Sequence, residues 1–128
     1  MEVRDAVEED AAALADLADG PRDVLRSLIH DRTVRIAIEN GEAVGFVSFD
    51  ARPGTVYVTR IGRDPEACER LLDEPVRFAN AEGMGVELLL QDGEEAIRDA
   101  VARAGFEEVG AGPRFEGVST VRYRREPD

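Results

Sequence analysis

Apolar positions along the chain follow two periods, which predict an alternation of strands and helices. Alternation of apolar and polar residues is typical of strands. An unbroken apolar run is typical of a strand that is buried on both faces, and we interpret Val86–Leu90 as such a run. The strands are predicted at Met1–Ala6, Thr33–Ile38, Val44–Phe49, Thr55–Ile61, Val86–Leu90, Phe106–Val109 and Val118–Tyr123. Apolar residues three and four apart predict helices. These are expected at Glu8–Asp19, Pro21–Asp31, Asp64 to about Glu82, and Glu94–Ala104.

Turn residues indicate how these segments are joined. Asn40–Gly41 and Pro53–Gly54 each lie between two strands, and both dipeptides favour short turns. The second, third and fourth strands are therefore expected to form an antiparallel meander. Pro75 falls inside the third helical segment and should kink or split it, because proline removes a backbone donor. From Thr55 to Leu90 the order is strand, helix, buried strand, which predicts a right-handed βαβ unit with parallel strands, adjacent unless something splays them.

The junction of the fourth strand with the next helix, within Thr55–Cys68, is the first candidate for chemistry. Asp64 suits a helix N-cap and Pro65 suits the first helical position. Unpaired N–H groups and the helix dipole make such a junction favourable for an anion. Glu66, however, places a carboxylate where a phosphate would need bare backbone.

The charge balance of the chain is strongly acidic. There are 28 acidic residues against 16 basic ones, for a net charge of −12. Every basic residue is Arg and none is Lys, although Lys is ordinarily a common residue. This composition is typical of a haloarchaeal-type surface adapted to high salt, where salt screens the repulsion between carboxylates. High-GC coding explains part of the arginine preference. Nucleic acid and anionic membranes are not expected partners, since no basic patch stands out.

Cysteine and histidine are too few for several kinds of site. The single cysteine, Cys68, excludes an internal disulfide and cysteine-based zinc ligation, and the single histidine, His30, excludes a histidine cluster. We therefore expect no metal site. The sequence has no signal peptide and no apolar run of membrane-spanning length, which predicts a soluble, cytoplasmic protein with one domain over residues 1–128.

Four local features, in this order, resemble the GNAT (Gcn5-related) N-acetyltransferase superfamily over nearly the whole chain. They are the opening strand and acidic helix start in Met1–Leu17, Val44–Phe46, the strand exit Val58–Arg63, and the Ala-Gly-Phe ending of Val101–Phe106. The resemblance implies an α+β fold in α-β-α layers. A mostly antiparallel, twisted sheet of about six to seven strands and about four helices is expected.

In that family acetyl-CoA lies in a V-shaped gap between the fourth and fifth strands. The resemblance implies that the backbone of Val58 and Thr59 binds the pantetheine arm. The pyrophosphate would lie on a loop reading Arg/Gln-x-x-Gly-x-Gly/Ala, in which Arg63 holds the first position, followed by Ala67 and then by Cys68 at the last. Two residues depart from that loop: Glu66 replaces the first glycine, and Pro65 lacks an amide N–H.

The family's acid and base have no counterparts here. The resemblance places Val101 where many relatives have a general-acid tyrosine, and the fourth strand has no carboxylate for a general base. Tyr57 on that strand is a candidate proton donor, although a strand tyrosine, like Tyr123, more often packs half-buried. The catalytic residues are therefore left open. An amine that is already deprotonated needs mainly positioning to attack a thioester.

Two hypotheses are consistent with these features. In the first, the protein is an acyl-CoA-dependent N-acyltransferase that moves an acetyl group to a small-molecule or peptide amine by direct attack in a ternary complex. In the second, it is a GNAT-like domain without turnover that serves as a binding or dimerisation module. Fold alone does not decide between them. The acceptor and a homodimeric state are left open.

Overall fold

A single mixed sheet organises this computed structural model, which describes residues 1–114 and 116–128, with residues 62 and 63 described by their backbone alone. Seven strands of that part of the chain pair in the order β1-β2-β3-β4-β5-β7-β6. They are β1 Glu2–Asp5, β2 Thr33–Glu39, β3 Glu42–Arg52, β4 Thr55–Arg63, β5 Gly85–Gln91, β6 Glu107–Ala111 and β7 Thr120–Arg125. Strands β4 and β5 are parallel, and the other neighbours are antiparallel.

Helices cover both faces of this sheet. They are α1 Ala11–Ala18, α2 Arg22–Asp31, α3 Pro65–Leu71, α4 Asp73–Glu82 and α5 Glu95–Arg103. The residues before α1, Glu8–Asp10, form a 3-10 turn rather than the predicted first turn of an α-helix. The predicted α+β fold, the strand meander and the parallel pair are confirmed. Within the described residues, no helix has the length and apolar character that crossing a membrane would require.

The third predicted helix is split, but not at Pro75 itself. Leu72 separates α3 from α4, and Pro75 lies in the first turn of α4. A proline ring clashes with the carbonyl four residues earlier, which here belongs to Leu71, the last residue of α3. In the first turn of a helix the missing N–H of proline breaks no intrahelical bond. The break therefore falls before the proline.

Two apolar cores hold the layers together. The larger one packs α3, α4 and α5 against the sheet, and it includes Val58, Leu71, Leu88 and Val101. The smaller one packs α1 and α2 against the other face, around Leu14, Leu25, Val34, Ile36 and Phe46. Because side chains alternate along a strand, the neighbours Phe46 and Val47 of β3 enter different cores. The centre of the sheet is thus buried on both faces.

Candidate functional site

Strands β4 and β5 lie side by side only over their first residues. Their pairing runs from Thr55 opposite Gly85 to Val58 opposite Leu88. Beyond those pairs β4 continues along β3 as far as Arg63, and β5 continues along β7 as far as Gln91. Both strands thus keep their outer partners while they part from each other, which opens a wedge at their carboxyl ends. We call this wedge the gap.

A β-bulge marks the point of parting. In the register between β3 and β4, Phe49 lies opposite Val58 and Ser48 lies opposite Arg60, so Thr59 is the extra residue. A bulge bends its strand and increases the local twist. The hydroxyls of Ser48 and Thr59 share a hydrogen bond of 2.7 Å, and Ser48 is fully buried. The bulge and this hydrogen bond explain why β4 leaves β5 directly after Val58.

The gap contains two adjacent cavities. Their volumes are about 320 Å³ and about 410 Å³. Both are lined by the residues at the point of parting, namely Val58, Thr59, Leu88, Leu89 and Gln91. The first cavity reaches helix α1 at Leu17 and Ala18 and also touches Arg60 and Glu94. The second lies over β4, β5 and β7.

Tyr57 and Glu87 bring polar chemistry to the second cavity. They are register partners on β4 and β5, so their side chains lie next to each other on one face of the sheet. Tyr57 is 40% exposed. Each oxygen of the Glu87 carboxylate accepts a hydrogen bond, at 3.2 Å from Arg122 Nη1 and at 2.7 Å from Arg124 Nη1. Arg124 also donates a hydrogen bond from Nε to Glu126. The hydrogen bond to Glu126 first, and that to Glu87 after it, raise the pKa of Arg124.

Glu87 was not predicted as a site residue. Although Val86–Leu90 is interpreted from the sequence as an unbroken apolar run, that run contains one carboxylate, Glu87. A lone acid in a buried apolar strand was the signal that could have identified it, because a charge is costly to bury unless it is paired.

Strand β7 borders the second cavity through Thr120 and Arg122, and the connection from β6 lies beside Thr120. A Cβ atom on Gly112 would lie 2.5 Å from Thr120 Oγ1 and 2.7 Å from Leu89 Cδ2. A larger residue at position 112 would therefore have to displace the side chains of Thr120 and Leu89. Thr120 Oγ1 also donates a hydrogen bond of 2.5 Å to the carbonyl oxygen of Pro113. Leu89, 38% exposed, lines the second cavity beside this connection.

The second feature of interest is the junction, Asp64–Cys68, where β4 hands over to α3. The Glu66 N–H donates to Asp64 Oδ1 at 2.9 Å, which makes Asp64 the predicted N-cap. The Cys68 N–H donates to the Asp64 carbonyl oxygen at 2.8 Å, and Pro65 has no N–H. The anion at this helix start is therefore the side chain of Asp64 itself.

The predicted donor-binding residues lie in two different environments. Val58 and Thr59 line both cavities. Ala67 and Cys68 are fully buried beneath the sheet, so their side chains are turned away from any ligand and only their backbone remains as a contact. The side chain of Arg63 lies outside the described residues.

The candidates for catalysis also separate. Tyr57 lines the second cavity. Tyr123 is only 4% exposed and belongs to the larger core, as does the fully buried Val101 of α5. The structure thus brings Tyr57 together with Val58 and Thr59 at the gap, and it places Tyr123 and Val101 in packing roles.

Comparison with known proteins identifies the fold. No protein-family model and no curated protein matches the sequence. A ribosomal-protein-alanine N-acetyltransferase from Brucella melitensis has a similar structure, with a TM-score of 0.81 at 17% identity over 98% of this chain and 99% of that one. A GNAT-family acetyltransferase from Streptococcus pneumoniae gives 0.74 at 19% identity over 99% of both chains.

A third similar structure, YncA from Salmonella typhimurium, is described as an acetyltransferase with its cofactor acetyl-CoA. It gives a TM-score of 0.81 at 17% identity over 100% of this chain and 94% of that one. The chain therefore has the fold of the GNAT acetyltransferases, and the resemblance found in the sequence is confirmed at the level of the fold. Sequence identities of 17% and 19% support the shared fold but do not by themselves support a shared function.

Proposed function

We propose that this protein belongs to the GNAT superfamily and is an acyl-CoA-dependent N-acyltransferase that acetylates a primary amine. The observation that carries the proposal is the gap, where β4 and β5 part at the Thr59 bulge and leave two adjacent cavities. Ligands of α/β sheets commonly bind where parallel strands diverge at their carboxyl ends. The similarity to acetyltransferase structures supports the same assignment.

The gap suits an extended donor arm. Where β4 no longer pairs with β5, its backbone is open on that side to an added strand-like partner. The pantetheine arm contains amides and can bind in this way from Thr59 onward, next to Val58, the last residue of β4 that pairs with β5. The apolar side chain of Leu88 forms the floor beneath it. These residues would hold the thioester at the level of the second cavity.

The second cavity suits the acceptor amine. In the reaction a C–N bond forms between the amine and the thioester carbonyl carbon, and the C–S bond breaks. The sulfur leaves with the electron pair of that bond, and the proton lost by the nitrogen ends on the sulfur or in water. Tyr57 is the proposed proton donor to the sulfur, since it lines the second cavity beside Val58 and Thr59, and it regains a proton from water. Positioning of the two substrates supplies most of the rate, because the attack becomes effectively intramolecular.

A thermal-shift measurement with a transfer assay tests this proposal. In about 2 M KCl, where surface repulsion is screened, millimolar acetyl-CoA should raise the melting temperature by about 3–6 °C. Gln91→Trp, at an exposed residue that lines both cavities, should remove the shift. Glu108→Trp, at an exposed residue of β6 outside the cavities, should keep it. No shift in the unmodified chain would contradict the proposal.

A domain that binds the donor without transferring the acyl group is the second candidate. It is favoured by buried Val101, which occupies the position that the resemblance assigns to a general-acid tyrosine. This candidate predicts the same thermal shift but no acetylated product when a panel of amines is analysed by mass spectrometry. If the unmodified chain acetylates any amine and Gln91→Trp does not, the protein is an N-acyltransferase rather than a domain that only binds the donor.

A further inference from the structure

We propose that the gap selects its donor by the pantetheine arm alone, so that the ligand class is an uncharged acyl-pantetheine thioester and the nucleotide of acyl-CoA adds no attraction. This inference rests on the proposed function and specifies its donor side. It predicts that the protein binds acetyl-CoA no better than S-acetylpantetheine.

The first argument concerns backbone donors at the junction. A pyrophosphate is held at a helix start by N–H groups that have no other partner. Here Asp64 Oδ1 already accepts the Glu66 N–H at 2.9 Å, and the Asp64 carbonyl oxygen accepts the Cys68 N–H at 2.8 Å. Pro65 offers no N–H. A phosphate could take the place of the Asp64 side chain only by displacing it, at the cost of the cap.

The second argument concerns charge at the junction. Asp64 and Glu66 are both acidic, and neither side chain is buried. Each of these carboxylates repels the phosphates of a CoA molecule whose nucleotide extends from the gap towards the junction. The chain as a whole has a net charge of −12, which adds to the repulsion.

The third argument concerns the cations along α3. A surface cavity of about 340 Å³ begins at Glu66 and includes two arginines, Arg70 and Arg103. Arg103 Nε donates to Glu69 Oε2 at 2.9 Å. Arg70 Nη1 lies 3.8 Å from carboxylate oxygens of both Asp73 and Glu74. Arg70 Nη1 has no hydrogen-bond partner at these distances, but the three carboxylates that line this cavity, those of Glu66, Glu69 and Asp73, outnumber its two arginines. The described residues of this surface therefore offer a phosphate no net attraction.

The gap itself has the opposite character. Its walls at Val58, Thr59 and Leu88 are apolar or uncharged. Each cavity also has one arginine and one carboxylate, Arg60 with Glu94 in the first and Arg122 with Glu87 in the second, so neither has a net charge. Such a surface suits the neutral amides and methylenes of pantetheine. Attraction is thus confined to the arm, while the junction repels the phosphates that lie beyond the arm in CoA.

Calorimetric titration with two thioesters at two salt concentrations tests this inference. We expect S-acetylpantetheine and acetyl-CoA to bind within about threefold of each other in about 2 M KCl, where the Debye length is only a few ångströms. In about 0.2 M KCl, S-acetylpantetheine should bind more tightly. Acetyl-CoA affinity should therefore rise with salt, whereas a cationic phosphate site loses affinity as salt rises.

Each outcome of that titration decides something. Acetyl-CoA binding in about 2 M KCl more than about threefold more tightly than S-acetylpantetheine would overturn the inference and leave the proposed function standing. Binding of neither thioester would overturn the proposed function itself. If the chain folds only in concentrated salt, as circular dichroism will show, the ratio in 2 M KCl decides alone.

Variants that replace a junction carboxylate by the corresponding uncharged amide give a second, independent test. Asp64→Asn keeps a capping side chain and Glu66→Gln keeps the size, so each removes one negative charge. In about 0.2 M KCl, each should tighten acetyl-CoA binding about two- to tenfold and leave S-acetylpantetheine unchanged. No change for acetyl-CoA in either variant contradicts the repulsion.

Arg63→Ala removes a positive charge where the other two variants remove a negative one, and the resemblance places Arg63 beside the phosphates. We expect it to change the affinities for acetyl-CoA and S-acetylpantetheine by the same factor. A selective loss of acetyl-CoA affinity would show that the nucleotide is attracted after all, and would overturn the inference.

Discussion

The gap and the junction lie a few residues apart along the chain, yet the structure fixes them in different ways. The gap is formed by buried parts of the molecule: Leu88 and Val58 in the larger core, and the hydroxyl pair of Ser48 and Thr59. The junction is formed by polar side chains at the surface, above all Asp64 and Glu66. One feature depends on packing and backbone path, and the other depends on individual surface residues.

This difference explains what structural similarity can and cannot carry over. A bulge and a splayed strand pair can be maintained by many combinations of buried apolar residues, so the gap can persist at the 17% and 19% identity of the similar acetyltransferases. A loop that binds pyrophosphate depends on free amides and small residues at fixed positions. One proline and two acids change it with little effect on the fold.

The largest expected effect contrasts two adjacent leucines of β5. Leu88 is 3% exposed in the larger core, whereas Leu89 is 38% exposed on the other face. Leu88→Ala should lower the free energy of unfolding by about 2–5 kcal/mol, because it leaves a cavity. Leu89→Ala should lower it by less than about 1 kcal/mol. Urea denaturation at constant KCl measures both, and a loss for Leu88→Ala as small as that expected for Leu89→Ala would mean that the floor of the gap is not part of the core.

Much of the scaffold was predictable because its signals are local. Alternation of apolar residues marks β2, and Asn40–Gly41 fixes the hairpin that comes after it, since Glu39 and Glu42 pair across that turn. The N-cap role of Asp64 was predictable for the same reason: a capping residue followed by proline is a local pattern. The resemblance to the GNAT fold rested on the order of such local elements.

The features that make the site were less predictable because they arise between strands. Two polar residues, Thr59 and Arg60, separate Val58 from Ile61, which packs against the same core. This spacing of three is the only local sign of an extra residue, and it does not identify Thr59 as that residue. The bulge depends on the register with β3, a tertiary property. Glu87 was missed because its partners, Arg122 and Arg124, come from a distant strand.

The next effect tests how much stability the junction provides. Asp64→Ala removes the cap on the Glu66 N–H and should lower the free energy of unfolding by about 1 kcal/mol. Asp64→Asn should cost less, since asparagine caps about as well as aspartate. Urea denaturation of the two variants separates the cap from the charge. Equal destabilisation by Asn and Ala would show that the charge of Asp64, rather than its hydrogen bond, stabilises the start of α3.

The smallest expected effect is the coupling between Ser48 and Thr59. A double-mutant cycle with Ser48→Ala and Thr59→Val should give a coupling of about 0.5–1 kcal/mol in the free energy of unfolding, the net value of one hydrogen bond. Each single variant should also weaken S-acetylpantetheine binding, because the bulge that opens the gap is held less firmly. No coupling would mean that the strands part through the backbone register alone. Coupling without any change in binding would mean that the hydroxyl pair stabilises the sheet but does not set the width of the gap.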